Sequence, residues 1–174
     1  MIEYDHFEWN IEDDTLTSTY TVSDTLVDYP NNRYKEVLIE NYECPIGEVS
    51  YTTTVITFND MKSRSYNTLE EKCREEPYLG QMTIRDYIDN FDNKSSYDGV
   101  IKISWLDNDA HKFTYFGGEK PQHHLFDLQT KTLTAIVIDM EDPNVKLVYK
   151  VIRNRAAELH DSQFRIMTCH FEDK

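Results

Sequence analysis

The chain has 174 residues, with 32 carboxylates against 18 lysines and arginines and a formal net charge of −14. That length suits one domain, its 39 % hydrophobic content is enough for a core, and so acidic a chain repels nucleic acid and anionic membranes. No apolar run reaches the roughly 20 residues of a spanning helix, Met1-Ile-Glu-Tyr-Asp lacks the pattern of a secretory signal, and Cys44, Cys73 and Cys169 are odd in number and far apart, so the spacing predicts unpaired thiols in a reducing cytoplasm.

Residues 2–9 read as a short strand and Glu12-Asp13-Asp14 as the turn after it. Residues 15–27 alternate, with Leu16, Tyr20, Val22 and Leu26 on one face and hydroxyl side chains on the other. That period of two predicts a half-buried strand with the apolar face inward. Tyr29-Pro30-Asn31-Asn32 is a loop. Residues 34–43 and 49–58 are two more strands, the second β-branched and aromatic, joined around Pro45-Ile46-Gly47.

Asn67-Thr68 has the chemistry of a helix cap, predicting a helix over 69–76 that Pro77 stops. Thr83 and Asp86 stand near a capping box, and Ile84, Tyr87, Ile88 and Phe91 share one face at helical spacing. From Asp98 the strand pattern returns. Residues 100–106 and 111–116 predict a hairpin ended by Gly117-Gly118, and 131–140, 145–153 and 164–171 predict three further strands. Residues 154–160 suit one or two helical turns. The expected class is α+β, mostly antiparallel sheet of about eight or nine strands with two or three short helices. The expected organisation is a single domain over 1–174, with an acidic β region at 1–62, a helical segment at 66–93 and a second β region at 98–172.

Motifs for catalysis are lacking in the sequence. His123-His124 and Cys169-His170 are adjacent pairs, and in a strand neighbours point to opposite faces. A zinc site would need scattered ligands such as His111, His123 and His170, without any of the usual spacings. Cys73 sits among Glu70, Glu71, Glu75 and Glu76, where a thiolate is disfavoured. Asp139, Glu141 and Asp142 end a strand, as metal-dependent nuclease ligands do, but without the E-x-K partner. Gly117-Gly118-Glu119-Lys120 is too short for a phosphate loop. The expectation is therefore no catalytic residue, no metal and no cofactor.

The charge is distributed unevenly. Residues 1–99 hold 21 carboxylates against 8 bases, whereas residues 100–174 hold 11 against 10. Eight carboxylates, Glu3, Asp5, Glu8, Glu12, Asp13, Asp14, Asp24 and Asp28, precede Arg33, the first basic side chain. Like charge held in one region repels itself, which points to a basic partner. Tyr4, Trp9 and Tyr29 lie in the same field and are the residue types that anchor interfaces. The expectation is a non-enzymatic acidic protein that inhibits a basic, nucleic-acid-handling protein by partial nucleic-acid mimicry, as anti-CRISPR and other anti-defence inhibitors do. An immunity protein against a nuclease toxin fits the same residues, and a metal-dependent hydrolase built on the scattered histidines and carboxylates is the reading from another class.

Overall fold

The structure is a computed structural model of the chain, and it describes all residues except 44–45, 81–82, 119, 157 and 172–174. Cys44, Pro45 and Glu119 therefore lie outside the described residues. The strands are β1 (Ile2–Asn10), β2 (Thr15–Asp28), β3 (Arg33–Glu40), β4 (Ser50–Thr57), β5 (Lys62–Asn67), β6 (Lys72–Pro77), β7 (Ser95–Ile101), β8 (Ala110–Tyr115), β9 (Gln122–Asp127), β10 (Leu133–Asp139) and β11 (Val145–Asn154). Two short helices, α1 (Ile84–Asp89) and α2 (Phe91–Lys94), and a 3-10 turn at Asp161–Phe164 complete it. All eleven strands form one antiparallel sheet, in the order β6-β5-β4-β3-β2-β1-β11-β10-β9-β8-β7.

This corrects the expected α+β class of eight or nine strands. The molecule is nearly all sheet. The error centres on 69–76, where a helix was expected. Asn67 does cap: its Oδ1 accepts from the N–H groups of Leu69 and Glu70 at 2.9 and 3.0 Å. The cap closes a four-residue turn instead of starting a helix, because the segment has no apolar helical face to bury. Leu69 is exposed. The chain returns as β6, with Glu75 bridging Lys62 and Arg64 of β5, each at 2.8 Å. β6 is an edge strand, and its charged residues and terminal Pro77 discourage further pairing. The expected strand at 164–171 is irregular, and of 154–160 the described residues beyond Asn154 carry no helix.

The hairpin turns explain the missed strands. Four-residue turns end in the left-handed region at Asp14, Asn32, Met61, Glu71 and Lys131, with φ between 50° and 60°. Hairpins usually announce such positions with glycine. Here Asp, Asn, Met, Glu and Lys fill them.

Topology decides what covers the sheet. Two meanders, β1–β6 and β7–β11, join where β11 returns to pair with β1. β6 and β7 are the two outer edges, so the segment between them must cross a face. It carries α1 and α2. The 102–109 loop and the C-terminal segment cover the opposite face, which holds both apolar cores. One gathers Leu125, Ala135, Val137 and Val148 with Trp9, Leu16 and Trp105. The other gathers Val55, Phe164 and Ile166 with Leu26, Leu159 and Phe171. Each fully buried Val or Leu contributes roughly 1.5–3 kcal/mol. A disulfide between Cys73 and Cys169, with Cα atoms 5.9 Å apart, ties the C-terminal segment to β6. The unpaired thiols expected from the spacing are thus corrected for these two.

The alternation of β2 is also read differently by the structure. Leu16 and Leu26 pack inward as expected, but Tyr20 is 44 % exposed at φ 55°, in a bulge between Ser18 and Thr21. Ser23 and Thr25, expected outside, are buried beneath the helical crossing. Their hydroxyls are tolerated there because each has a partner.

Candidate functional site

The crossing helices leave a pocket of about 790 Å³ between themselves and the sheet. Its floor comes from alternate positions of six adjacent strands: Ile2 and Tyr4 of β1, Ser23, Thr25 and Val27 of β2, Tyr34 and Glu36 of β3, Tyr149 of β11, Ile136 and Ile138 of β10, and Gln122, His124 and Phe126 of β9. Its roof is Ile84, Tyr87, Ile88 and Phe91. These are the four residues whose helical spacing predicts a packing face, although α1 is only six residues long. The capping box that starts α1 is present, with Thr83 Oγ1 accepting from the Asp86 N–H at 3.1 Å. Arg85 anchors the helix to the β2–β3 turn, donating to the Tyr29 carbonyl at 3.1 Å and also to the Pro30 carbonyl.

The polar groups of the pocket are few and specific, and His6 stands behind the lining against two of its residues, Ser23 and Tyr149. His6 Nε2 lies 2.8 Å from Ser23 Oγ, and the His6 ring meets Tyr149 at 4.4 Å between centroids. Burial lowers the His6 pKa to about 4, so this imidazole is neutral at pH 7. His124 is lowered to about 4 as well, by burial first and then by the neighbouring His123. Thr25 donates to Tyr34, and Tyr34 in turn donates to the carboxylate of Glu36. Burial raises the pKa of Glu36 against that hydrogen bond. Burial and the Glu36 charge together raise Tyr4 to about 12.

The acidic residues have other surroundings. β11 brings Arg153 opposite Glu3 and Lys150 opposite Asp5, so bases distant in sequence lie across from the acidic strand. Arg153 Nε stands 3.7 Å from Glu3. Asp24 feels Arg153 and Arg155, although burial and Glu3 still raise its pKa. Asp28 is 4 % exposed and accepts from Arg33 Nε at 2.6 Å and from Asn31. Glu8, Glu12, Asp13 and Asp14 are exposed. In the β1–β2 turn Asn144 Nδ2 donates to Glu12 at 2.8 Å, the Thr15 hydroxyl to Asp13 at 2.6 Å, and the Trp9 indole to Asp14 at 2.9 Å. Hydrogen bonds from Ser104 and Trp9 hold Asp14 below the usual carboxylate range. Of the aromatic residues, Tyr4 lines the pocket, Trp9 packs edge-on against Trp105, and Tyr29 is 39 % exposed and donates to Asp89 at 2.6 Å.

Across the opposite face runs a polar ladder. Thr114 Oγ1 donates to Asp98 at 2.5 Å and lies 2.8 Å from His123 Nδ1, and His123 Nε2 lies 3.1 Å from Asp139. Hydroxyl, imidazole and carboxylate align as in a nucleophilic triad. However, Thr114 is 5 % exposed and its proton is committed to Asp98, while Lys146 neutralises Asp139 at 2.8 Å. The ladder is a cross-strand brace. His111 lies on the other face, beside Tyr97, so it is not gathered with His123. Among the described residues no group of three or more His, Cys, Asp or Glu side chains could hold a metal ion.

Sequence reasoning reached the roof of the pocket and missed most of the floor. The signal for the floor was present in part: Ser23, Thr25 and Glu36 are polar residues at inward-pointing strand positions, with His6 behind Ser23. Only the pairing of β3 with β2 and of β1 with β11 shows that they share one face.

No protein-family model matches the chain, and no curated protein matches it. Among solved structures, an uncharacterised conserved protein of Thermus thermophilus is 13 % identical, with a TM-score of 0.56 over 99 % of this chain and 87 % of that one. A candidate outer membrane lipoprotein-sorting protein domain of Vibrio parahaemolyticus is 7 % identical, with a TM-score of 0.41 over 94 % of this chain and 87 % of that one. PNGF-II is 8 % identical, with a TM-score of 0.42 over 94 % of this chain and 29 % of that one. The Thermus likeness is one of fold alone.

Proposed function

We propose that this is a non-enzymatic binding protein that holds a small, largely apolar ligand between the sheet and α1–α2. The observation that carries this reading is the pocket itself. Its volume of about 790 Å³ falls within the ~300–1,000 Å³ of small-molecule sites. Its lining is mainly aliphatic and aromatic, with a few convergent polar groups, as ligand sites are. The test is titration with a neutral, environment-sensitive fluorophore. Saturable binding near one per chain is expected, weakened at least 10-fold when Ile136→Trp fills the floor. No saturable binding, or binding that ignores the filled pocket, would overturn the reading.

A second reading keeps function on the acidic surface, where the chain would inhibit a basic nucleic-acid-handling protein. What favours it is the β1–β2 turn, which exposes Glu12, Asp13 and Asp14 together. Replacing all three by amides should slow capture by an immobilised basic nuclease at low salt, since such charges act on the association rate. An unchanged rate would remove this reading.

Among the described residues, no helix is long and apolar enough to cross a membrane. The Cys73–Cys169 bridge favours a compartment in which disulfides persist over the reducing cytoplasm expected from cysteine spacing.

A further inference from the structure

Glu36 is the carboxylate on the floor of the pocket, and Asp92, in the first turn of α2, is a second carboxylate of the lining on the helical side. Glu36 projects from the middle of β3, between Thr25 of β2 and Thr54 of β4 in the register, and shares the lining with Tyr4, Tyr34 and Tyr149. Its hydrogen-bond partner is the Tyr34 hydroxyl, and among the described residues no lysine or arginine forms a salt bridge with it. The contrast with Asp28 is sharp. Asp28 lies on the other face of the same sheet region and has Arg33 against it at 2.6 Å. A half-buried carboxylate without a counter-charge is costly unless something compensates it. The three tyrosines supply aromatic surface near the same carboxylate, and Tyr4 and Tyr149 meet edge-on at 6.2 Å. A carboxylate with neighbouring aromatic rings suits an organic cation, which gains both an ion pair and cation–π attraction. The rest of the lining, from Ile136 and Ile138 to Phe91, offers apolar surface for the body of the ligand.

We infer that the pocket takes a small molecule with one protonated amine and an apolar body, the amine seated on Glu36 among Tyr4, Tyr34 and Tyr149. This rests on the reading of the pocket as a ligand site and specifies the ligand class. Burial of Glu36, which raises its pKa, is consistent with a group that completes its ionisation when a cation arrives.

The experiment compares three probes of equal chain length, octylammonium, 1-octanol and octanoate, by calorimetric titration at pH 7. Octylammonium is expected to bind at least 10-fold more tightly than octanol, with octanoate weakest. In Glu36→Gln the ratio of octylammonium to octanol affinity should fall to near one, circular dichroism confirming the fold. Equal affinities for the three probes in the native protein would overturn the amine assignment while leaving the apolar pocket standing. A preference that survives in Glu36→Gln would overturn it too. Failure of every probe to bind would remove the pocket reading and this inference with it. The comparison within the native protein decides the matter even if Glu36→Gln does not fold.

Discussion

Tyr87 Oη lies 2.9 Å from His124 Nε2, and the two are joined across the pocket from roof to floor. Tyr87 belongs to α1 and His124 to β9, so this bond holds the crossing helix down on the sheet. The aromatic contacts around it strengthen the attachment. Phe91 stacks on Tyr115 at 5.6 Å and meets His124 edge-on at 5.0 Å. A neutral imidazole is required here, because protonation would place a charge in an apolar site.

Acid should therefore loosen the pocket before it unfolds surface elements. His6 and His124 both have folded pKa values lowered from 6.5 to about 4. The unfolded chain binds more protons between those values, so their contribution is present above pH 6.5 and is lost as pH falls toward 4. The shift corresponds to ~3 kcal/mol for each histidine. Urea unfolding between pH 7.5 and 4 should show this decline, and His6→Gln should flatten it by about half. An identical slope in the variant would contradict the assignment.

The Cys73–Cys169 bridge closes a loop with a sequence separation of 96. Removing it should cost about 2–5 kcal/mol, chiefly by freeing the unfolded chain. Reductant, or Cys169→Ser, should lower the unfolding midpoint and expose the segment after β11 to protease. The second core should suffer most, because Phe164 and Ile166 reach Val55 only through that segment. A reduced protein with unchanged midpoint and cleavage pattern would show that the bridge constrains nothing.

Much of the sheet could be read from the sequence. β1, β2, β4, β10 and β11 have the period-two alternation or β-branched content that marks strands, and their bounds fall close to those expected. β5, β6 and β9 could not be read in this way. Their turns at 58–61, 68–71 and 128–131 carry no glycine, and β6 is exposed along its length, so it has no apolar face to reveal it. The charge asymmetry along the chain is real, yet it is reduced in space by a pairing between β1 and β11 that no local pattern encodes. The pocket's roof was legible because a helical face is local. Its floor is distributed over strands far apart in sequence and appears only when they pair.

Asp28 illustrates the distinction between charge in sequence and charge available to a partner. Burial alone would raise its pKa, but hydrogen bonds from Asn31 and Arg33 outweigh it and keep the carboxyl below the usual range. Arg33 also stacks over Phe164 at 4.1 Å and reaches Asp161 at 2.9 Å. Asp28→Ala should destabilise the fold by about 3 kcal/mol, because it leaves a partly buried guanidinium with the exposed Asp161 as its remaining carboxylate partner. Thermal or urea unfolding measures this. A loss under about 0.5 kcal/mol would mark Asp28 as an ordinary surface carboxylate.

The most direct test of the account is to map where an apolar molecule sits. The protein would be incubated with a neutral alkyl diazirine, irradiated, digested and analysed by mass spectrometry. The pocket account predicts label on Ile136, Ile138, Tyr149 and Tyr87, competed away by excess unreactive alkyl compound. Label concentrated instead on the most exposed apolar side chains, Ile46, Leu79 and Met167, each more than 80 % exposed, and not competed, would contradict it.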